Sequence, residues 1–178
     1  MNRRLCTWSL IAFLVLPGII VGGAESLRIV PIVHDDEVLV SVELNDAYTD
    51  AVRDTISSGL RTTFTYDVDL RMLVPAWVDR TIVASVVSSS DQYDNLTRRH
   101  SLSRTIDGRV ESVLVTEDET VAKRWLTTLS RLPLCRTSKL EAGREYYVRI
   151  RARTHPYASS LLGWASAIAA QTKFTFIP

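Results

Sequence analysis

The sequence predicts a β-rich α+β domain, an antiparallel sheet or sandwich of about seven or eight strands with two covering helices. Three observations predict it. Several stretches alternate apolar and polar residues with the period of a half-buried strand, an Asp-Gly pair separates two further stretches, and two segments carry apolar residues at helical spacing. With 178 residues, 46% of them hydrophobic, and no Pro/Gly/Ser-rich tract, the chain has one-domain size and falls outside the disordered class. Lys and Arg number 21 against 20 Asp and Glu, a balance that speaks against a general nucleic-acid binder.

The amino-terminal residues read as a secretory signal. Arg3 and Arg4 precede an apolar run from Leu5 to Val21, and Gly22 and Ala24 are small residues suited to cleavage after Ala24. The competing expectation is an uncleaved membrane anchor, since about 20 apolar residues span a bilayer. Pro17-Gly18 interrupts the run and favours cleavage, and Cys6 precedes the apolar core, the wrong place for lipoprotein acylation. Residues 1–24 are therefore expected to be a signal peptide and residues 25–178 a single domain. Processing removes two arginines and no acid, so the net charge falls from +1 to −1. Cys135 is then the sole cysteine, so no internal disulfide can form and a core must stabilise the fold. At ~150 residues such a core is feasible. Cys135, within Leu132-Pro133-Leu134-Cys135, reads as a small buried hydrophobe.

Leu27 to Val33 is a first strand, bent or at an edge because of Pro31. Glu37 to Leu44 puts Val38, Val40, Val42 and Leu44 on one face. Asn45-Asp46 can cap a helix in which Tyr48, Val52, Ile56 and Leu60 recur at i, i+4, ending near Gly59. Thr63 to Val74 alternates over a long strand, with Phe64, Tyr66, Val68, Leu70, Met72 and Val74 opposite Thr63, Thr65, Asp67, Asp69 and Arg71. Thr81 to Val87, apolar on both faces, is a central or buried strand, and Ser88-Ser89-Ser90 its polar end. His100 to Ile106 and Arg109 to Val115 flank Asp107-Gly108, a pair suited to the positive φ angles of a two-residue hairpin turn. Thr116 and Glu119 have the spacing of a capping box, followed by a stripe of Val121, Ala122, Trp125, Leu126, Leu129 and Leu132 until Pro133 stops the helix. Tyr146 to Arg153 alternates again. Ser159 to Ala170 is a short helix or a loop, and Lys173 to Ile177 a last strand.

The chemistry is sparse. His34 opens His34-Asp35-Asp36-Glu37, which reads as a solvated turn, since consecutive residues rarely converge on one ion. His100, after Arg98 and Arg99, and His155, before Pro156 in a turn, read as surface residues. There is no zinc-ligand spacing, GxSxG, SxxK, P-loop or GxGxxG, so no metal or cofactor is expected. Asp67 and Asp69, ~7 Å apart on one strand face, read as solvated. Arg149, Arg151 and Arg153 form a cationic row on one face. It can pair with Asp67 and Asp69 across strands or face an anionic partner. Asn95-Leu96-Thr97 matches a glycosylation sequon.

Tyr93-Asp94-Asn95-Leu96-Thr97-Arg98-Arg99-His100-Ser101-Leu102 resembles a segment of a bacterial family, the domain of unknown function numbered 4390. Trp77-Val78-Asp79-Arg80 and Leu140-Glu141-Ala142-Gly143-Arg144-Glu145-Tyr146 extend the likeness over most of residues 25–178. The resemblance implies an exported protein of Gram-negative bacteria without assigned activity, its gene often beside a membrane sensor histidine kinase of the nitrogen-regulation type. The expectation is a periplasmic, non-enzymatic interaction module accessory to such a kinase or another envelope protein. Arg149, Arg151, Arg153 and Arg98 are its partner-binding candidates, and no nucleic acid is involved. An uncleaved signal segment would instead anchor it in the inner membrane. The alternatives are a carrier of a small apolar or lipid-like ligand, recognisable by an apolar cavity, and a hydrolase, which requires a histidine meeting a serine or carboxylate in a pocket.

Overall fold

The computed structural model describes residues 26–156 and 167–177. Nine strands and two helices follow in the order β1 (Leu27–His34), β2 (Glu37–Leu44), α1 (Asp50–Ser57), β3 (Thr62–Met72), β4 (Arg80–Asp94), β5 (Arg99–Ile106), β6 (Arg109–Thr116), α2 (Glu119–Thr127), β7 (Thr128–Arg136), β8 (Glu145–Pro156) and β9 (Ile168–Thr175). A three-stranded sheet has the order β1-β2-β7 and a six-stranded sheet the order β6-β5-β4-β3-β8-β9, all pairs antiparallel. The β-rich α+β architecture is thus the predicted one, with one or two strands more than expected.

The alternation in β3 survives intact: each residue from Thr62 to Met72 is in turn buried and half-buried. Phe64, Tyr66, Val68 and Leu70 face inward with Tyr146, Val148 and Ile150 of β8 against Val38, Val40 and Val42 of β2, forming one solid core. α1 and α2 lie on the same inner side, Ile56, Ala122 and Leu126 being part of the buried set. Burying twenty or so such side chains at roughly 1.5–3 kcal/mol each supplies the main driving force. Pro31 sits on β1, an edge strand, where its missing N–H costs no ladder bond. The Asp107-Gly108 turn forms as predicted, at φ 50° and 79°.

Several predicted boundaries are corrected. α1 is capped by Thr49, whose side chain accepts from the Val52 amide, and not by Asn45-Asp46. Asp46 adopts φ 59° and Asn45 N–H donates to the Ser26 carbonyl, so this stretch is a connection. Gly59 does end the helix, at φ 84°. α2 is capped by Asp118, which accepts from Thr120 N–H at 2.7 Å, while Glu119 turns to Arg53 instead of completing a capping box.

The helical stripe stops at Thr127, and Leu129 and Leu132 become β-strand residues facing Val42 and Val40. Their three-residue spacing fits a strand through an irregularity at Arg131, at φ 50°, whose N–H donates to Ser41 Oγ. Pro133 is tolerated because β7 is an edge. Ser88–Ser90 continue β4 and do not end it, and the backbone of His155 lies in β8 opposite Thr63, not in a turn. Of the Ser159–Ala170 segment, Ile168–Ala170 belong to β9; residues 157–166 and the signal segment lie outside the described residues.

Candidate functional site

The arginine row comes together as strand alternation requires. β3 and β8 place Asp69 opposite Arg149, Asp67 opposite Arg151 and Thr65 opposite Arg153. Arg149 Nε donates to Asp69 Oδ2 at 3.1 Å, and this bond holds the guanidinium above its ordinary pKa. Arg153 reaches diagonally past its own partner to Asp67, giving both oxygens bonds of 2.8 and 2.6 Å. Arg151, opposite Asp67 but displaced from it by Arg153, makes no ion pair among the described residues. It lines a shallow groove with Asp67, Asp69, Ser85 and Asp107. Arg98 stands apart, in the β4–β5 turn at φ 57° and exposed.

His100 corrects the surface expectation. It is 6% exposed, and its Nδ1 lies 2.9 Å from Oδ2 of Asp91, which is wholly buried. Burial pushes the Asp91 carboxyl above its ordinary range, against the opposing effect of the His100 hydrogen bond. The other Asp91 oxygen has no partner among the described residues. Tyr93 tilts over the imidazole at 4.7 Å between ring centroids. The signal for this pair was present: His100 shares its strand parity with Leu102, which is buried. It was missed because β4 was expected to end before Asp91.

His100 and Tyr93 form one wall of an open cleft of about 280 Å³, completed by Tyr48, Arg53, Asp54, Ile56, Ser57, Glu117 and Glu119. Tyr48 donates to Glu119 and is pushed up to about 12, by burial first and then by the Glu119 and Asp91 charges. The Ser57 hydroxyl donates to the Asp54 carbonyl within its own helix. Glu119 is engaged by Arg53 at 2.8 Å and Glu117 by Arg99 at 3.0 Å. The charges in the cleft are thus largely answered from within the chain.

Arg104, unremarked in the sequence, is half-buried over the Trp125 ring at 4.5 Å and donates to the carbonyls of Trp125 and Thr128 and to Ser89 Oγ. It closes the carboxyl end of α2, whose last carbonyls need donors. His34 is in an exposed hairpin turn with Asp35 and Asp36 at φ 49° and 61°, as expected. Cys135 is half-buried against the core, and burial pushes its thiol up. The sequon Asn95-Leu96-Thr97 lies in an exposed turn, shaped by Asp94, whose carboxylate accepts from Leu96 and Thr97 N–H. Among the described residues no three metal-ligating side chains converge, and no helix is long and apolar enough to cross a membrane.

Two apolar surfaces stand out. The β3–β4 loop presents Trp77, 81% exposed, and Val78; Asp79 braces it by accepting from Val74 N–H and from the Tyr147 hydroxyl. Strand β6 exposes Val110, Val113, Leu114 and Val115.

A β-sandwich with this charged outer sheet face is the class of protein the fold defines. Residues 23–162 match the family model described as a domain of unknown function, DUF4390, and the chain belongs to that family. No curated protein and no solved structure matches it.

Proposed function

We propose that this protein is an exported, periplasmic, non-enzymatic interaction module. The observation that carries the reading is the distribution of cover. The inner face of the six-stranded sheet is packed by β1-β2-β7 and both helices, while its outer face, with the Arg149–Arg153 row, has no described element on it. A domain of this form presents a surface and does not enclose a ligand.

The chemistry of the His100 cleft supports the same reading. A histidine does meet a carboxylate there, as a hydrolase requires, but Ser57 donates its proton to a helix carbonyl and is not aligned on the imidazole. The Asp91–His100 pair is read as a structural polar link. The carrier alternative is disfavoured by a core filled with Tyr66, Tyr146, Phe64 and Leu70, all fully buried.

The partner in this reading is a membrane sensor histidine kinase of the nitrogen-regulation type, or a neighbouring envelope protein. Its support is the gene setting that the family implies. Arg151, the member of the row free of an ion pair among the described residues, is the anchor for an acidic partner surface. Crosslinking in living cells, with the protein tagged at its carboxyl terminus and the products identified by mass spectrometry, tests this. Reproducible recovery of a sensor kinase, lost on Arg151→Glu, is the expected result. Recovery of no envelope protein overturns the proposal.

A further inference from the structure

We propose that the open cleft lined by His100 binds a small primary ammonium ion, held by His100 and Asp54 between the rings of Tyr48 and Tyr93. The cleft shares no residue with the groove that holds Arg151, so this site is separate from the interaction surface proposed above.

The imidazole supplies the first reason. His100 is 6% exposed and yet lines the cleft. Its Nδ1 is taken by Asp91, and its Nε2 has no hydrogen-bond partner among the described residues. The side-chain atoms sealed off without a partner are Thr62 Oγ1, Asp91 Oδ1 and Arg153 Nε. Nε2 is not among them, so it keeps contact with solvent, and the cleft is where the ring meets it. Burial raises the Asp91 carboxyl, and the His100 bond opposes this by favouring the ionised form. The carboxylate accepts Nδ1–H, which leaves a lone pair on Nε2. A buried imidazole held in this way turns an acceptor to the cleft and needs a donor from outside the chain.

Charge selects a cation. Of the lining carboxylates, Glu119 is answered by Arg53 at 2.8 Å and Glu117 by Arg99 at 3.0 Å. Arg53 is engaged a second time by Asp50, at 3.5 Å. Asp54 lines the cleft without an ion pair among the described residues. A donor that reaches both Asp54 and the Nε2 lone pair must carry several N–H groups, and an ammonium has three. The walls suit it. Tyr93 tilts over the imidazole at 4.7 Å, and Tyr48, pushed up to about 12 by burial first, offers a neutral ring. Aromatic faces attract ammonium groups, and Lys123 Nζ stands 5.7 Å from the Tyr48 ring without lining the cleft. Ile56 gives the apolar part of a ligand a surface. At about 280 Å³ the cleft is at the small end for ligand sites, so the ligand is a short amine and not a lipid.

The test titrates the purified protein at pH 8 with phenethylammonium chloride, with 2-phenylethanol as the uncharged match. In a His34→Gln/His155→Gln background His100 is the sole histidine, so its labelled imidazole nitrogens report the contact by NMR. Saturable binding is expected, at least tenfold tighter than that of the alcohol, with the Nε2 signal shifting more than Nδ1. Asp54→Asn, at an exposed position, is expected to weaken binding about tenfold. Nα-acetyl-lysine methylamide separates two sources of the ammonium group. Tighter binding of phenethylammonium supports a free amine, and tighter binding of the lysine derivative supports a partner's lysine side chain. Absence of saturable binding by both cations overturns the proposal, as does equal binding of the alcohol. An unmoved Nε2 signal, or an affinity unchanged in Asp54→Asn, overturns it too.

Discussion

His100 sits directly opposite Tyr93 in the β4–β5 ladder, yet its imidazole reaches diagonally to Asp91, whose own ladder partner is Leu102. Two polar groups in an apolar interior thereby answer one another. Removing one member of such a pair leaves the other buried without compensation, whereas replacing both with apolar residues of similar size removes the problem. His100→Ala is expected to cost about 3 kcal/mol or more, and Asp91→Leu/His100→Leu less than that single change. Urea unfolding of the parent and the two variants decides it; a double variant at least as unstable as His100→Ala would mean that the pair contributes net stability.

Tyr66 ties the centre of β3 to the last turn of α2, its buried hydroxyl donating to the Leu126 carbonyl at 2.5 Å. Burial pushes the phenol above its ordinary pKa, with the Arg104 charge opposing, so the donor stays protonated across the working pH range. Tyr66→Phe keeps the ring and orphans the carbonyl, at an expected cost of about 1–3 kcal/mol. Chemical denaturation measures the loss.

The charge ladder on the outer face should contribute little to stability. Both ion pairs are partly exposed, and double-mutant cycles on Arg149/Asp69 and Arg153/Asp67 are expected to give about 1 kcal/mol or less each. Arg151→Ala, with no described ion pair to lose, should leave the unfolding midpoint unchanged. A coupling energy several times larger in either cycle would show that the row is a structural device and not a surface.

Acid should loosen the start of α2. Asp118 is held below its ordinary value of 3.8, first by the Thr120 backbone N–H. A carboxyl depressed in the folded state stabilises fully above its unfolded value and loses that contribution as pH falls through the folded one. Asp118→Asn caps as well but does not titrate. The variant is expected to match the parent at pH 7 and to lose less stability between pH 4 and 2. Parallel pH–stability curves for the two proteins would contradict the assignment.

Local alternation was enough to read β2, β3 and β8, because a one-residue slip in any of them would expose a whole apolar face. Asp107-Gly108 specified its own hairpin through the positive φ angles it tolerates. The same logic placed Arg149, Arg151 and Arg153 on one face and pointed to Asp67 and Asp69 as their partners. Where two patterns were compatible with one run of residues, the sequence reading chose the wrong one. Leu129 and Leu132 suit the predicted helix stripe as well as an irregular strand, and pairing with β2 decided for the strand, while Leu126 stays in α2.

Polarity misled at His100 and at Ser88–Ser90, where serines and a histidine signalled surface. β4 runs on for 15 residues and carries Ser89 and Asp91 into the interior, where Arg104 and His100 answer them. The sequence by itself determined the fold class, the strand faces and the arginine row, since these follow from a two-residue period and the chemistry of one turn. Only the tertiary structure decided which arginine is left without an ion pair, which polar groups are buried together and which strand ends the sheet. Those outcomes depend on partners as far as 86 residues away, as Arg153 and Asp67 are, and no local pattern encodes such pairings.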